Sequence, residues 1–205
     1  MEIPVYSSSD LAAKSEDLRQ PYQGNYLAMY SSLWSGIVTD PLLMTVPLDD
    51  HLVHRADGVF DVIRCLEGKA YCLKAHLDRL ERSAARIDLA LPDDYKRIRE
   101  IIQSAVRAGG GKDVLIRLIV SRGPGGFSTN PFECPASQLY VVIHKATPLP
   151  LEMYKEGVTI ISTDVPVKQS FFAQVKSCDY LNNVMIKKAA KEAVRRHLGR
   201  ERVFG

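Results

Sequence analysis

Two apolar runs, DVLIRLIVSRG (113–123) and SQLYVVIHKA (137–146), constrain this chain more than any other feature. Both are dense in β-branched and aromatic residues and of strand length, so both read as strands. The first is expected to be buried on both faces apart from Arg117, with the second as its partner. Their connection, GPGGFSTNPFECPA, is long and rich in Gly and Pro. Long loops of this kind within a compact domain are usually functional.

The rest of the chain is arranged around that pair. NYLAMYSSLWSGIVTDPLLMTVPLDD mixes short apolar runs with Gly36 and Pro41 and reads as strands and turns. GVFDVIRCL (58–66), the Glu67-Gly68 turn and KAYCL (69–73) form a hairpin signal. In KAHLDRLERSAARIDLALP, Leu77, Leu80, Ala84 and Ile87 recur every three or four residues, which predicts a helix. A second helix is predicted from about Pro92 to Ala108, with Asp93 and Asp94 at its positive end and Gly109-Gly110-Gly111 closing it. After TPLPLEMYKEG (147–157), GVTIIST reads as a strand, and a strand-like apolar run, FFAQV, leads to Lys176. A helix follows from about Tyr180 to His197, with an apolar stripe of Leu181, Val184, Met185, Ala189 and Ala193. The expected organisation is α+β: a loosely held arm (1–25), a small α/β domain (26–146), a link (147–157) and the start of a second domain (158–205). That last unit is small for an independent core.

Composition removes several function classes. With 27 Lys+Arg against 24 Asp+Glu in 205 residues, there is no basic excess to argue for nucleic acid. No apolar run approaches the roughly 18–20 residues of a membrane span. MEIPVYSSSDLAAKSEDLRQP lacks the basic-then-apolar form of a secretory signal, so a cytoplasmic location is expected. Cys65, Cys72, Cys134 and Cys178 form no C-x-x-C pair and read as reduced thiols, with no metal site expected.

Three stretches concentrate candidate chemistry. SRGPGGFSTNP (121–131) has neither a G-x-x-x-x-G-K-[ST] nor a Rossmann glycine pattern, so a substrate-covering loop is preferred to a nucleotide cradle. HLVHRADGVFD (51–61) holds two histidines, an arginine and acids, but no G-x-S-x-G elbow supplies a nucleophile. In HLDRL (76–80), Arg79 either is a solvated helix arginine or presents its planar fork to a phosphate.

Taken in order, MYSS…GIVTDP…VPLDDHLVHRADGVFDVIR, GKAYCLKAHLDRLERSA, IRLIVSRGPGGF and VKSCDYLNNVMIKKAAKEA resemble the class-IV aminotransferases from about residue 26 to 194. These are pyridoxal-phosphate (PLP) enzymes of fold type IV. They include D-amino-acid aminotransferases, branched-chain aminotransferases and 4-amino-4-deoxychorismate lyases. The resemblance implies a small N-terminal α/β domain followed by the start of a larger, barrel-like cofactor domain. It implies that Lys176 forms the Schiff base with PLP, for which a primary amine is required and must spend time neutral. Arg79 matches the arginine that binds the cofactor phosphate, and substituting it is expected to weaken cofactor affinity far more than stability. Tyr180 falls at the cofactor, and Arg55 and Phe60 fall where the family lines its substrate pocket. A homodimer is implied, with the 123–136 loop reaching toward the partner. The substrates would be an amino acid and a 2-oxo acid.

The sequence also departs from parts of the family. Bacterial D-amino-acid aminotransferases have a tyrosine where Phe60 stands, and an R-x-H pair in the loop that here reads Phe127-Ser128-Thr129. Phenylalanine at that position is compatible with branched-chain enzymes and the lyases. Family members also continue well past the position that matches RRHLGRERVFG, and that part brings the acid for the pyridine nitrogen. Three readings stand: an aminotransferase, an aminodeoxychorismate lyase releasing pyruvate, and a truncated non-catalytic homologue.

Overall fold

The computed structural model describes residues 3–15 and 17–198. Residues 1–2, 16 and 199–205, which belong to the expected arm and the expected cofactor domain, lie outside the described residues. The arm carries a short helix, α1 (Ser8–Ala13), closed by a reciprocal capping box between Ser7 and Asp10. Its residues stay exposed, and the Arg19–Asp40 pair ties it to the domain.

The domain is one antiparallel sheet. Strands β1 (Tyr26–Ser31) and β2 (Gly36–Val38) form a hairpin, and α2 (His51–Arg55) leads into the long β3 (Gly58–Leu66). The return strand is short: β4 covers only Lys69–Ala70 before the chain turns into α3 (Leu73–Ala85). Then come α4 (Tyr95–Ala108), β5 (Val114–Ser121) and β6 (Gln138–Lys145). The strand order is β2-β1-β6-β5-β3-β4. Strands β5 and β6, the two long apolar runs, pair along their whole length, from Val114↔Lys145 to Ser121↔Gln138.

Helices α3 and α4 cover one face. Val59, Ile63, Ile116, Leu118, Val141 and Ile143 point into that layer and are fully buried. Helix α3 ends earlier than its apolar spacing suggests. Leu89 N–H turns back to Ala84 O (3.0 Å) and Asp88 takes a φ of 50°, so Ile87 packs from outside the helix. Asp94 caps α4 by accepting from Arg97 N–H at 2.7 Å.

The expectation that β5 is buried on both faces is corrected. Leu115, Arg117 and Ile119 lie on the side away from the helices, beside Val62 and Val142, and all remain half-buried. An apolar run records that neither side is fully wet; it does not record what covers each side.

Beyond β6, α5 (Leu151–Glu156) falls within the expected link. GVTIIST takes no regular secondary structure and pairs with no strand among the described residues, so the predicted strand does not form. The run toward Lys176 is also corrected: residues Ser170–Ala173 form a helical turn, α6, not a strand. The final helix, α7 (Leu181–Leu198), matches its prediction. Of its apolar stripe only Ala193 is buried, while Leu181, Val184 and Met185 are exposed.

Candidate active site

Lys176 is held by its backbone. Residues 176–178 run beside the free edge at the start of β3, where Ser177 bridges Val59. Phe60 N–H donates to Lys176 O (3.0 Å) and Cys178 N–H donates to Gly58 O (2.8 Å). Lys176 N–H donates to Ser83 Oγ, on α3, at 3.2 Å. Gly58 is required by the close packing here, because a Cβ would lie 2.7 Å from the Val120 carbonyl oxygen.

The Lys176 side chain then meets two of the residues the resemblance assigns to the site. Its Nζ lies 3.2 Å from the Tyr180 hydroxyl and 4.3 Å from the centre of the Phe60 ring. The Phe60 and Tyr180 rings meet edge to face at 5.0 Å. Lys168 comes from the opposite wall. Its Nζ donates to Ser177 Oγ at 3.2 Å and to the Asp179 carbonyl, and lies 5.5 Å from the Tyr180 ring centre. Asn182 Nδ2 donates to Pro166 O (2.8 Å), closing that wall onto the start of α7.

Arg79 faces the same cleft but is already committed on one edge. Its Nε and Nη2 donate to the two oxygens of Asp61 at 2.7 and 2.8 Å. His76 Nδ1 lies 2.8 Å from Asp61 Oδ1. An ionised carboxylate only accepts, so this nitrogen carries the proton. Asp61 is wholly buried, whereas the Arg79 side chain is 47% exposed. Burial by itself pushes the Asp61 carboxyl up, but the bonds from Arg79 and His76 outweigh it and hold the group below the ordinary carboxylate value. The Asp61 hydrogen bond raises the Arg79 guanidinium in turn. Arg79 Nη1 has no hydrogen-bond partner among the described residues and remains available to an anion.

The resulting cleft has a volume of about 430 Å³. Arg79, Lys168 and Lys176 line it with Tyr180, and no carboxylate lines it among the described residues. A primary amine, two further cations and a phenol suit a small, phosphate-bearing carbonyl compound, so the residues present fit PLP. Cys178, adjacent to this site, is inert as a thiolate: burial pushes its thiol up to about 12.

Arg55 is not brought to this cleft. Its Nε donates to Ser128 O (3.1 Å), its Nη1 to His54 O (2.8 Å) and its Nη2 to Phe127 O, so it braces the 123–136 loop. The His54 ring lies 5.2 Å from that of Phe127. At the foot of the loop, buried Asp50 accepts from Tyr140 Oη (2.8 Å) and from Ser121 Oγ, which itself accepts from Gly123 N–H. Arg122 is turned onto Asp57, at 2.9 and 3.0 Å, instead of into a phosphate cradle. His51 Nε2 and both ring nitrogens of His54 have no hydrogen-bond partner among the described residues, so neither is bonded to a serine there.

Three contributors escaped the sequence reading: Asp61, Ser83 and Lys168. Asp61 left a signal, because it is a charged residue in phase with the core-facing Val59 and Ile63. Ser83 lies one helical turn after Arg79, and nothing in its surroundings in the sequence sets Lys168 apart.

Residues 58–195 match the sequence profile of Amino-transferase class IV. A chloroplastic D-amino-acid transaminase of Arabidopsis thaliana is 39% identical over 183 residues, covering 89% of this chain and 48% of its own. A bifunctional aminodeoxychorismate lyase / D-amino acid transaminase of Mycobacterium tuberculosis is 30% identical, over 63% of this chain and 43% of its own. A hypothetical aminotransferase of Mycobacterium tuberculosis, solved with α-ketoglutarate and PMP bound, superposes with a TM-score of 0.64. It is 26% identical, covering 81% of this chain and 59% of that one. The chain spans about half the length of the curated relatives it matches. With its profile match and its close relative, this chain belongs to the class IV aminotransferase family.

Proposed function

We propose that this chain supplies the lysine-bearing part of a PLP site that exchanges an amino group between an amino acid and a 2-oxo acid. The observation that carries the reading is Lys176: its backbone is locked, and its amine projects to the Tyr180 hydroxyl in a cleft lined by cations. Arg79 would hold the cofactor phosphate through its Nη1 edge. When bound, PLP supplies the electron sink that stabilises negative charge at the substrate α-carbon. Lys176 is the nucleophilic amine, and once free it is the base placed to carry a proton at that carbon. Tyr180 holds a hydrogen bond to Nζ and so orients the amine. The Phe60 ring walls the amine off from water on one side.

The amino acid is of the D- or branched-chain type. The name of the Arabidopsis relative supports a D-amino acid. The name of the bifunctional Mycobacterium relative supports aminodeoxychorismate lyase as the second reading. A homodimer accompanies either one.

Borohydride reduction of the protein after incubation with PLP should leave a pyridoxyl label on Lys176, absent from Lys176→Ala. A label on Lys74 or Lys168 would overturn the assignment. Amino transfer from D-alanine or L-leucine to 2-oxoglutarate supports the first reading. Pyruvate release from 4-amino-4-deoxychorismate without a 2-oxo acid supports the second.

A further inference from the structure

Helix α3 carries two groups that touch the candidate site, and they lie one turn apart. Arg79 lines the cleft, and its Nη1 has no hydrogen-bond partner among the described residues. Four residues on, Ser83 accepts the Lys176 backbone N–H at 3.2 Å, and Ser83 is 2% exposed. Residues at this spacing stand on one helix face with Cβ atoms about 6 Å apart. PLP carries its aldehyde and its phosphate arm on adjacent ring carbons, so the separation of the two groups is bounded. A protein that grips the phosphate and attacks the aldehyde must therefore fix the distance between the two gripping groups.

We propose that Ser83 is a positioning residue that keeps Lys176 in register with Arg79, making α3 the spacer between the phosphate contact and the amine. This rests on the PLP reading given above. The Lys176 amine ends a flexible four-carbon stem, so its reach is only as well defined as its backbone. The Lys176 carbonyl accepts one hydrogen bond from β3 and Cys178 N–H donates a second, which fix the 176–178 segment to the sheet. Among the described residues the Ser83 bond is the one direct hydrogen bond from Lys176 to the helix that carries Arg79; Arg79 itself is tied to β3 through Asp61. Without the Ser83 bond the two groups are related only through the sheet, and their separation is less tightly set.

The test uses two probes on the same chain, PLP and pyridoxal, which share the aldehyde and differ in the phosphate. In the wild type, borohydride-trapped labelling of Lys176 should be much faster with PLP. Ser83→Ala should reduce that advantage about fivefold, the effect of one ordinary hydrogen bond, and leave the pyridoxal rate within twofold. Ser83→Thr, which retains the acceptor oxygen, should keep the advantage. Ser83→Cys keeps the volume and weakens the acceptor, so it should fall between, and it decides the matter if Ser83→Ala does not fold. An unchanged ratio in Ser83→Ala or Ser83→Cys overturns the proposal while the PLP reading stands. An equal fall in both rates also overturns it, because that is general loosening and not lost register. Absence of any PLP advantage in the wild type removes the phosphate reading and this proposal with it.

Discussion

Removing Arg79 should cost stability as well as cofactor affinity. The sequence reading expects Arg79→Ala to act mainly on PLP binding, but the structure shows Arg79 neutralising a carboxylate with no exposed surface. Breaking a fully buried pair from one side costs about 3–5 kcal/mol, and exposed pairs contribute about 0–1 kcal/mol. This pair lies between those limits, because the Arg79 side chain is 47% exposed. Asp61 would keep its bonds to His76 Nδ1 (2.8 Å) and Val62 N–H (2.7 Å). We therefore expect a loss of about 2 kcal/mol at pH 7, a discounted value between the two cases. The pH dependence has a definite sign. In the wild type Asp61 titrates below its unfolded value, so its contribution is present above the ordinary carboxylate pKa and is lost as pH falls through the folded one. In Arg79→Ala burial dominates and the folded value rises, so the ionised group opposes folding at neutral pH and ceases to do so once protonated. The difference between the two proteins in urea unfolding should therefore be largest near pH 7 and shrink toward pH 4. Arg79→Ala/Asp61→Asn should recover part of the loss at pH 7. A loss under about 0.5 kcal/mol, within the range of ordinary surface substitutions, or one that grows on acidification would refute the reasoning.

Two further outcomes follow from the same packing. Gly58→Ala should destabilise the domain by about 2 kcal/mol, because overpacking against a backbone carbonyl cannot be relieved by a rotamer change; equal urea midpoints for the two proteins would show that the 2.7 Å approach to Val120 O is not limiting. The 123–136 loop presents Phe127 and Phe132, 61% and 92% exposed, so with PLP present the chain should sediment as a dimer that Phe127→Ser/Phe132→Ser weakens. A monomer at micromolar concentration would dispose of the dimer, and an unweakened double variant would dispose of the loop's part in it.

What could be read from residue order is what depends on neighbours along the chain. Helices α3, α4 and α7 repeat apolar residues at helical spacing, and β3, β5 and β6 are long β-branched runs that need burial. Lys176, Phe60, Tyr180 and Arg79 were named from the resemblance of ordered segments, and the fold brings these four to one place. The errors have a common cause. GVTIIST and FFAQV have strand-like composition, but a strand exists only where another backbone offers its N–H and C=O groups, and local sequence does not record that partner. For the same reason β5 looked buried on both faces when helices cover only one. The resemblance assigns Arg55 to the substrate pocket; its bonds to the carbonyls of Phe127 and Ser128 are a tertiary contact that residue order does not record. The Asp61–Arg79 pair and the Ser83–Lys176 bond join residues 18 and 93 positions apart. Such contacts arise only when α3 packs on β3 and the chain returns to the edge of that strand, so the three-dimensional packing alone decided which groups hold the amine and the arginine.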